Sequence, residues 1–125
     1  MSDATELAWA AGFFDGEGTT GVLKRARRSY LSLRVVQVDP RPLRRFCEAL
    51  GLGNFYGPYV RTNEKHSDYY AWCVGSSRAH AALDLLWPYL SEPKREQASR
   101  ALRQLEELNA DFRDMRLKGN RARTA

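Results

Sequence analysis

Ala8, Gly12 and Gly16 recur at four-residue intervals in a segment that starts on acidic and hydroxyl residues and ends on an acidic tip. Asp3-Ala-Thr-Glu6 reads as an N-cap with an acid three residues later, which predicts a helix from about Ala4 to about Asp15. Residues four apart lie one above the other on a helix, so the three small residues form a stripe on which a second helix backbone can come close. Leu7, Ala11 and Phe14 supply a neighbouring apolar face. Glycine inside a helix costs ~1 kcal/mol relative to alanine, so Gly12 calls for a packing reason. The plainer alternative, a helix that packs on its own core and tolerates Gly12, leaves that cost without a return.

The rest of the chain alternates between two periods. Residues 19–24 and 30–38 have strand character and flank the turn region Arg25-Ala-Arg-Arg-Ser29, so a hairpin is expected. Leu31, Leu33 and Val35 alternate with Ser32 and Arg34, leaving one face apolar and the other open to solvent or a ligand. Asp39-Pro40 opens a second helix with Leu43, Phe46, Cys47 and Leu50 at helical spacing and Gly51 at its end. A second strand pair is expected over 54–62 and 68–74. Ser76 or Ser77 then caps a third helix interrupted by Pro88, and a last helix from about Pro93 carries Ala98, Leu102, Leu105, Leu108 and Phe112 on one side. With 125 residues, 43% of them hydrophobic, the chain suits one packed core. Residues 1–115 are expected as a single domain and 116–125 as a basic, disordered tail.

Net charge is +5, and its placement is uneven. Residues 19–45 carry eight basic side chains (Lys24, Arg25, Arg27, Arg28, Arg34, Arg41, Arg44, Arg45) against one acid, Asp39, while residues 92–114 hold six acids and five bases. Such asymmetry points to a polyanion-binding face, although a basic run alone is more often a solvated surface. Arg outnumbers Lys sixteen to four, which suits bidentate contacts to guanine and phosphate and equally fits a GC-rich genome, bacterial or phage. Cys47 and Cys73 lack a CxxC partner, and His66 and His80 fit no metal-ligand spacing, so buried thiols are expected in place of a zinc site or disulfide. With no apolar run of ~18 residues and a polar, acidic start, no membrane association is expected, and an intracellular location in cytoplasm or nucleoid follows.

Residues 10–18, Ala-Ala-Gly-Phe-Phe-Asp-Gly-Glu-Gly, resemble the motif that names the LAGLIDADG homing endonucleases. Glu17 stands where that name has Asp. The order of helix, hairpin, helix, hairpin and two helices is similar to the family's, and the resemblance covers about residues 5–108. It implies an α+β fold of αββαββα(α) order, a curved antiparallel sheet packed by helices. Only one such segment is found, which resembles the single-motif members that act as homodimers. The stripe Ala8, Gly12, Gly16 would then be the two-fold helix contact.

The resemblance further implies a Mg²⁺-dependent endodeoxyribonuclease, with Mn²⁺ as a substitute. Such an enzyme hydrolyses both strands of a long pseudo-palindromic duplex across the minor groove and leaves short 3′ overhangs, and its setting, intron, intein or free-standing, is left open. Glu17 and the Gly16 carbonyl would hold the ion, whose hard oxygen ligands favour Mg²⁺ or Mn²⁺ over zinc. Asp15 would close the helix end. Gln37 resembles the family's water-positioning Gln, with Asp39 as the alternative in another register. Arg41, four residues after Gln37, and Lys94, at the start of the last helix, resemble its basic site residues. Each also has an ordinary reading: a solvent-facing strand Gln, a phosphate anchor, a surface lysine. Strand parity with Glu17 puts Thr19, Gly21, Leu23, Arg25 and Arg27 toward DNA, joined by Ser32 and Arg34 and, on the second hairpin, Arg61 and Asn63. The same fold would serve an intron-RNA maturase or a non-cleaving sequence-specific DNA-binding regulator. Intact Glu17, Lys94 and Gln37 argue against a degenerate regulator.

Overall fold

The computed structural model describes residues 3–61 and 67–124, with backbone only at residue 112 and at 114–124. The elements follow in the order α1 (Ala4–Glu17), β1 (Gly18–Leu23), β2 (Tyr30–Gln37), α2 (Pro40–Leu50), β3 (Asn54–Tyr59), β4 (Tyr69–Gly75), α3 (Ser77–Leu86), a 3₁₀ turn (Trp87–Tyr89) and α4 (Glu92–Thr124). This is the α+β order expected from the sequence. Asp39 caps α2 through its carboxylate and Gly51 ends it in the left-handed region at φ 68°, as that helix's sequence signals required. Ser76 stands at the N-cap position of α3 without a side-chain capping bond. Helix α4 continues through Thr124, so the stretch from 116 expected as a disordered tail is helical to that point. Residues 116–124 contain one glycine and no proline, and basic and alanine residues sustain a helix once it is running.

The strands form one antiparallel sheet in the order β1-β2-β4-β3. Its helix-side face carries Leu31, Leu33 and Val35 from β2 and Trp72 and Val74 from β4, all buried. Leu7, Ala10, Ala11 and Phe14 of α1, Leu43 and Phe46 of α2, Ala82, Leu83 and Leu86 of α3, and Ala98 and Ala101 of α4 complete that core. Phe46 meets the Trp72 indole edge-on at 4.8 Å, with Phe14 stacked beyond it. Gly18 turns the chain from α1 into β1 directly over the Phe14 ring, and a Cβ there would lie 2.1 Å from that ring. Any larger residue would push the helix end away from the strand it leads into.

One polar atom in this core has no hydrogen-bond partner among the described residues, the Thr20 hydroxyl on the helix-side face of β1. An unsatisfied buried hydroxyl costs about 1–3 kcal/mol, and valine keeps its β-branched shape without the oxygen. Thr20→Val is therefore expected to stabilise the fold by about 1 kcal/mol in urea unfolding. A loss of stability would mean that the hydroxyl is solvated or bonded in solution.

Candidate functional site

The face of the sheet opposite the helices opens on a groove of about 550 Å³. Alternation aims Thr19, Gly21 and Leu23 of β1 and Ser32, Arg34 and Val36 of β2 into it, with Arg61 and Tyr69 closing the far side. Glu17, the last residue of α1, stands exposed at the edge of this groove and is the one acid among its lining residues. Arg34 and Arg61 are its cations. The Arg61 guanidinium lies 4.6 Å over the Tyr69 ring, and Tyr69 packs against Tyr59 at 5.1 Å, so stacking holds the arginine at the groove.

Two side chains fix the helix end beneath Glu17. Lys94 donates from Nζ to the Gly18 carbonyl at 2.5 Å, which sets an ammonium one residue from Glu17. Asp15 turns the other way and accepts from the Ser91 amide at 3.1 Å and the Ser91 hydroxyl at 3.0 Å, tying the end of α1 to the residue before α4. The C-terminus of α1 carries the negative end of the helix dipole and has no basic residue in its last turn. It is a local environment that favours a cation.

The stripe Ala8, Gly12, Gly16 is exposed along α1. A Cβ built at Gly12 or Gly16 meets none of the described residues within 4 Å, so the described part of the protomer gives no packing reason for either glycine. Leu7, Ala10, Ala11 and Phe14 use the opposite face of the helix for the core.

The remaining expected site residues lie farther from this geometry. Gln37 ends β2 on the parity of Leu31, Leu33 and Val35, beside Tyr70, and Val36 is the β2 residue that faces the groove near Glu17. Asp39 is committed to α2: it accepts from the Arg41 amide at 2.9 Å and pairs with the Arg41 guanidinium at 2.6 Å. Those hydrogen bonds hold the Asp39 carboxyl down to about 2. Arg41 is otherwise open to solvent, its side chain 87% exposed. Arg25 and Arg27 lie past Leu23 in the turn, where strand parity ends, and are exposed. Asn63 lies outside the described residues.

Sequence reasoning missed two α4 amides. The Gln97 side-chain oxygen accepts from the Thr20 amide at 3.3 Å, and Asn109 pairs with both backbone groups of Ser29. Gln97 sits three residues after Lys94, on one helix face with it, which was the available signal. Val36 and Tyr69 also line the groove without having been anticipated, since the β2–β4 register that aligns them is not readable from one strand.

No family model and no curated protein sequence matches the chain. Solved structures do. The homing endonuclease I-CvuI in complex with the I-CreI target in 2 mM Mg, its DNA not cleaved, is 25% identical with TM-score 0.62, over 86% of this chain and 70% of that one. I-CvuI with its own target in 2 mM Ca is 26% identical, TM-score 0.60, over 84% and 68%. An archaeal intron-encoded homing endonuclease complexed with DNA is 20% identical, TM-score 0.59, over 88% and 83%.

Proposed function

From a chain that has the fold of the LAGLIDADG homing endonucleases, we propose a homodimeric, Mg²⁺-dependent endonuclease that cuts both strands of a long, nearly palindromic DNA site. One observation carries this reading: α1 presents a bare Ala8, Gly12, Gly16 stripe and ends at Glu17 on the edge of the sheet's open groove. Two copies meeting along that stripe would bring two Glu17 carboxylates together and join two grooves into one continuous surface. Arg34, Arg61 and the basic turn supply the positive charge that a duplex backbone requires.

The residues fit a divalent cation. The Glu17 carboxylate and the Gly16 carbonyl are hard oxygen donors at a helix C-terminus that favours positive charge. Among the described residues no group of three or more His, Cys, Asp or Glu could hold a metal, so the donors of one protomer call for a second copy. When bound, Mg²⁺ supplies charge neutralisation at the phosphate and activation of the attacking water. Lys94, held at the Gly18 carbonyl, keeps a positive charge where the attacked phosphate becomes more negative, and Asp15 through Ser91 fixes the helix end that aims Glu17. Gln37, on the core-side parity of β2, and Arg41, paired with Asp39, do not line the groove and would take part in this reading only by reaching a bound duplex or its water. Thr19, Leu23, Ser32 and Arg34 read base edges in the major groove, with Arg25, Arg27 and Arg61 at its margins.

The test is cleavage of a randomised, palindrome-biased duplex pool by the purified protein in Mg²⁺, with the new ends sequenced and Ca²⁺ as a control. Discrete paired cuts with 3′ overhangs, absent in Ca²⁺, are expected. Site-selective binding without cutting in Mg²⁺ would replace this reading with a regulator. Binding confined to intron RNA would replace it with a maturase.

A further inference from the structure

The basic turn between β1 and β2 is the most highly charged part of the hairpin, with Lys24, Arg25, Arg27 and Arg28 in five consecutive positions, all exposed. Strand pairing stops at Leu23 opposite Tyr30, so the sheet does not hold this tip. Four like charges on a short turn repel one another, and some other contact must fix its direction.

That contact comes from α4. The Ser29 amide donates to Asn109 Oδ1 at 3.0 Å, and Asn109 Nδ2 donates back to the Ser29 carbonyl at 3.3 Å. Ser29 is 6% exposed, so both of its backbone groups need partners inside the protein, and one side chain satisfies both. An amide presents its donor and acceptor as a neighbouring β-strand would. It is also neutral, so it fixes the base of the tip without drawing in the arginines beside it. The arrangement is the far end of a longer attachment: Lys94 holds the Gly18 carbonyl and Gln97 the Thr20 amide where β1 begins. From Lys94 to Asn109 α4 rises ~22 Å, enough to span the hairpin from its base to its tip.

We propose that Asn109 is a positioning residue that sets where the 24–28 tip meets a duplex, and so controls discrimination of the outer base pairs of the target; this rests on the DNA-cutting reading above. The tip lies ~20 Å along β1 from Glu17 at ~3.3 Å per strand residue. At 3.4 Å per base step that is about six base pairs from Glu17 at the centre of the site. Inner positions are read from the sheet itself, by Thr19, Ser32 and Arg34, whose placement comes from strand pairing and does not involve Asn109.

The experiment combines amide exchange on the free protein with a base-by-base cleavage profile for the wild type, Asn109→Ala, Asn109→Asp, the double variant R25A/R27A, and that double variant with N109A added. In Asn109→Ala the Ser29 amide is expected to exchange at least tenfold faster while Leu31, Leu33 and Val35 stay protected. Discrimination at pairs about six or more from the centre should fall roughly tenfold. Inner pairs and kcat on the best site should not change. Asn109→Asp keeps the acceptor for the Ser29 amide and should keep much of that protection. If Asn109 acts by aiming the tip, N109A changes nothing further once Arg25 and Arg27 are gone. Additive losses, or a uniform loss at all positions, would overturn the positioning role and leave Asn109 a structural residue. A wild-type protein that discriminates no base pair overturns the DNA reading, and this role with it, whatever the exchange result.

Discussion

Glu17→Gln is expected to lose DNA cleavage in Mg²⁺ by about 10³-fold or more while keeping the fold and the ability to hold a target duplex. The substitution keeps the length and shape of the side chain and removes the charge that a divalent cation needs. Glu17 is exposed and not part of the core, so nothing in the protomer should unfold. Binding in Ca²⁺ should be close to wild type, because Arg34, Arg61 and the basic turn remain. The check is single-turnover cleavage beside a binding titration on the same duplex, with thermal unfolding as the control for folding. Unchanged cleavage would remove Glu17 from the chemistry and leave the groove without an acid. A parallel loss of binding would make Glu17 a structural residue of the helix end.

The second large effect is expected at Gly12. Within the protomer a side chain there enters open space, and alanine is a better helix former by ~1 kcal/mol. Gly12→Ala should therefore leave the isolated protomer as stable as the wild type or up to ~1 kcal/mol more stable. Gly12→Leu should do the protomer little harm, yet it should separate the dimer, because two helices whose backbones approach along small residues cannot accept a branched side chain between them. Cleavage of both strands should disappear with dimerisation. Sedimentation across a concentration series, beside urea unfolding, reads both quantities. If Gly12→Leu remains dimeric and active, the two-fold contact lies elsewhere. If Gly12→Ala destabilises the protomer strongly, the stripe packs against the chain's own residues.

These predictions come from features that the sequence displays openly, since small residues at four-residue spacing and an acid at the helix tip are local patterns. The same holds for Leu31, Leu33 and Val35, whose alternation gave the buried face of β2, and for Asp39 and Gly51, which bound α2 by their own chemistry. Lys94 was readable only through resemblance, and the structure brings it to the Gly18 carbonyl beside Glu17. Parity has no force at Arg25 and Arg27 because it describes a strand, and β1 ends at Leu23. Gln37 illustrates the same limit from the other side: at the end of β2 it shares the parity of the core residues, and Val36 takes the groove position. Gln97 shares a helix face with Lys94, but neither it nor Asn109 could be matched to its partner from the sequence. Their partners are backbone groups 77 and 80 residues away, and the match depends on how far α4 slides along β1. That register is a tertiary property of α4 packing on the sheet, where Ala98 and Ala101 are buried in the core.

The most direct test of the central claim, that each of two copies contributes Glu17 to a shared site, is strand cleavage by mixed dimers carrying one wild-type and one Glu17→Gln protomer, purified through two different tags. Such dimers are expected to bind the target as wild type does but no longer cut both strands, leaving intact or singly nicked duplex. Double-strand cleavage by the mixed dimer at the wild-type rate would contradict it.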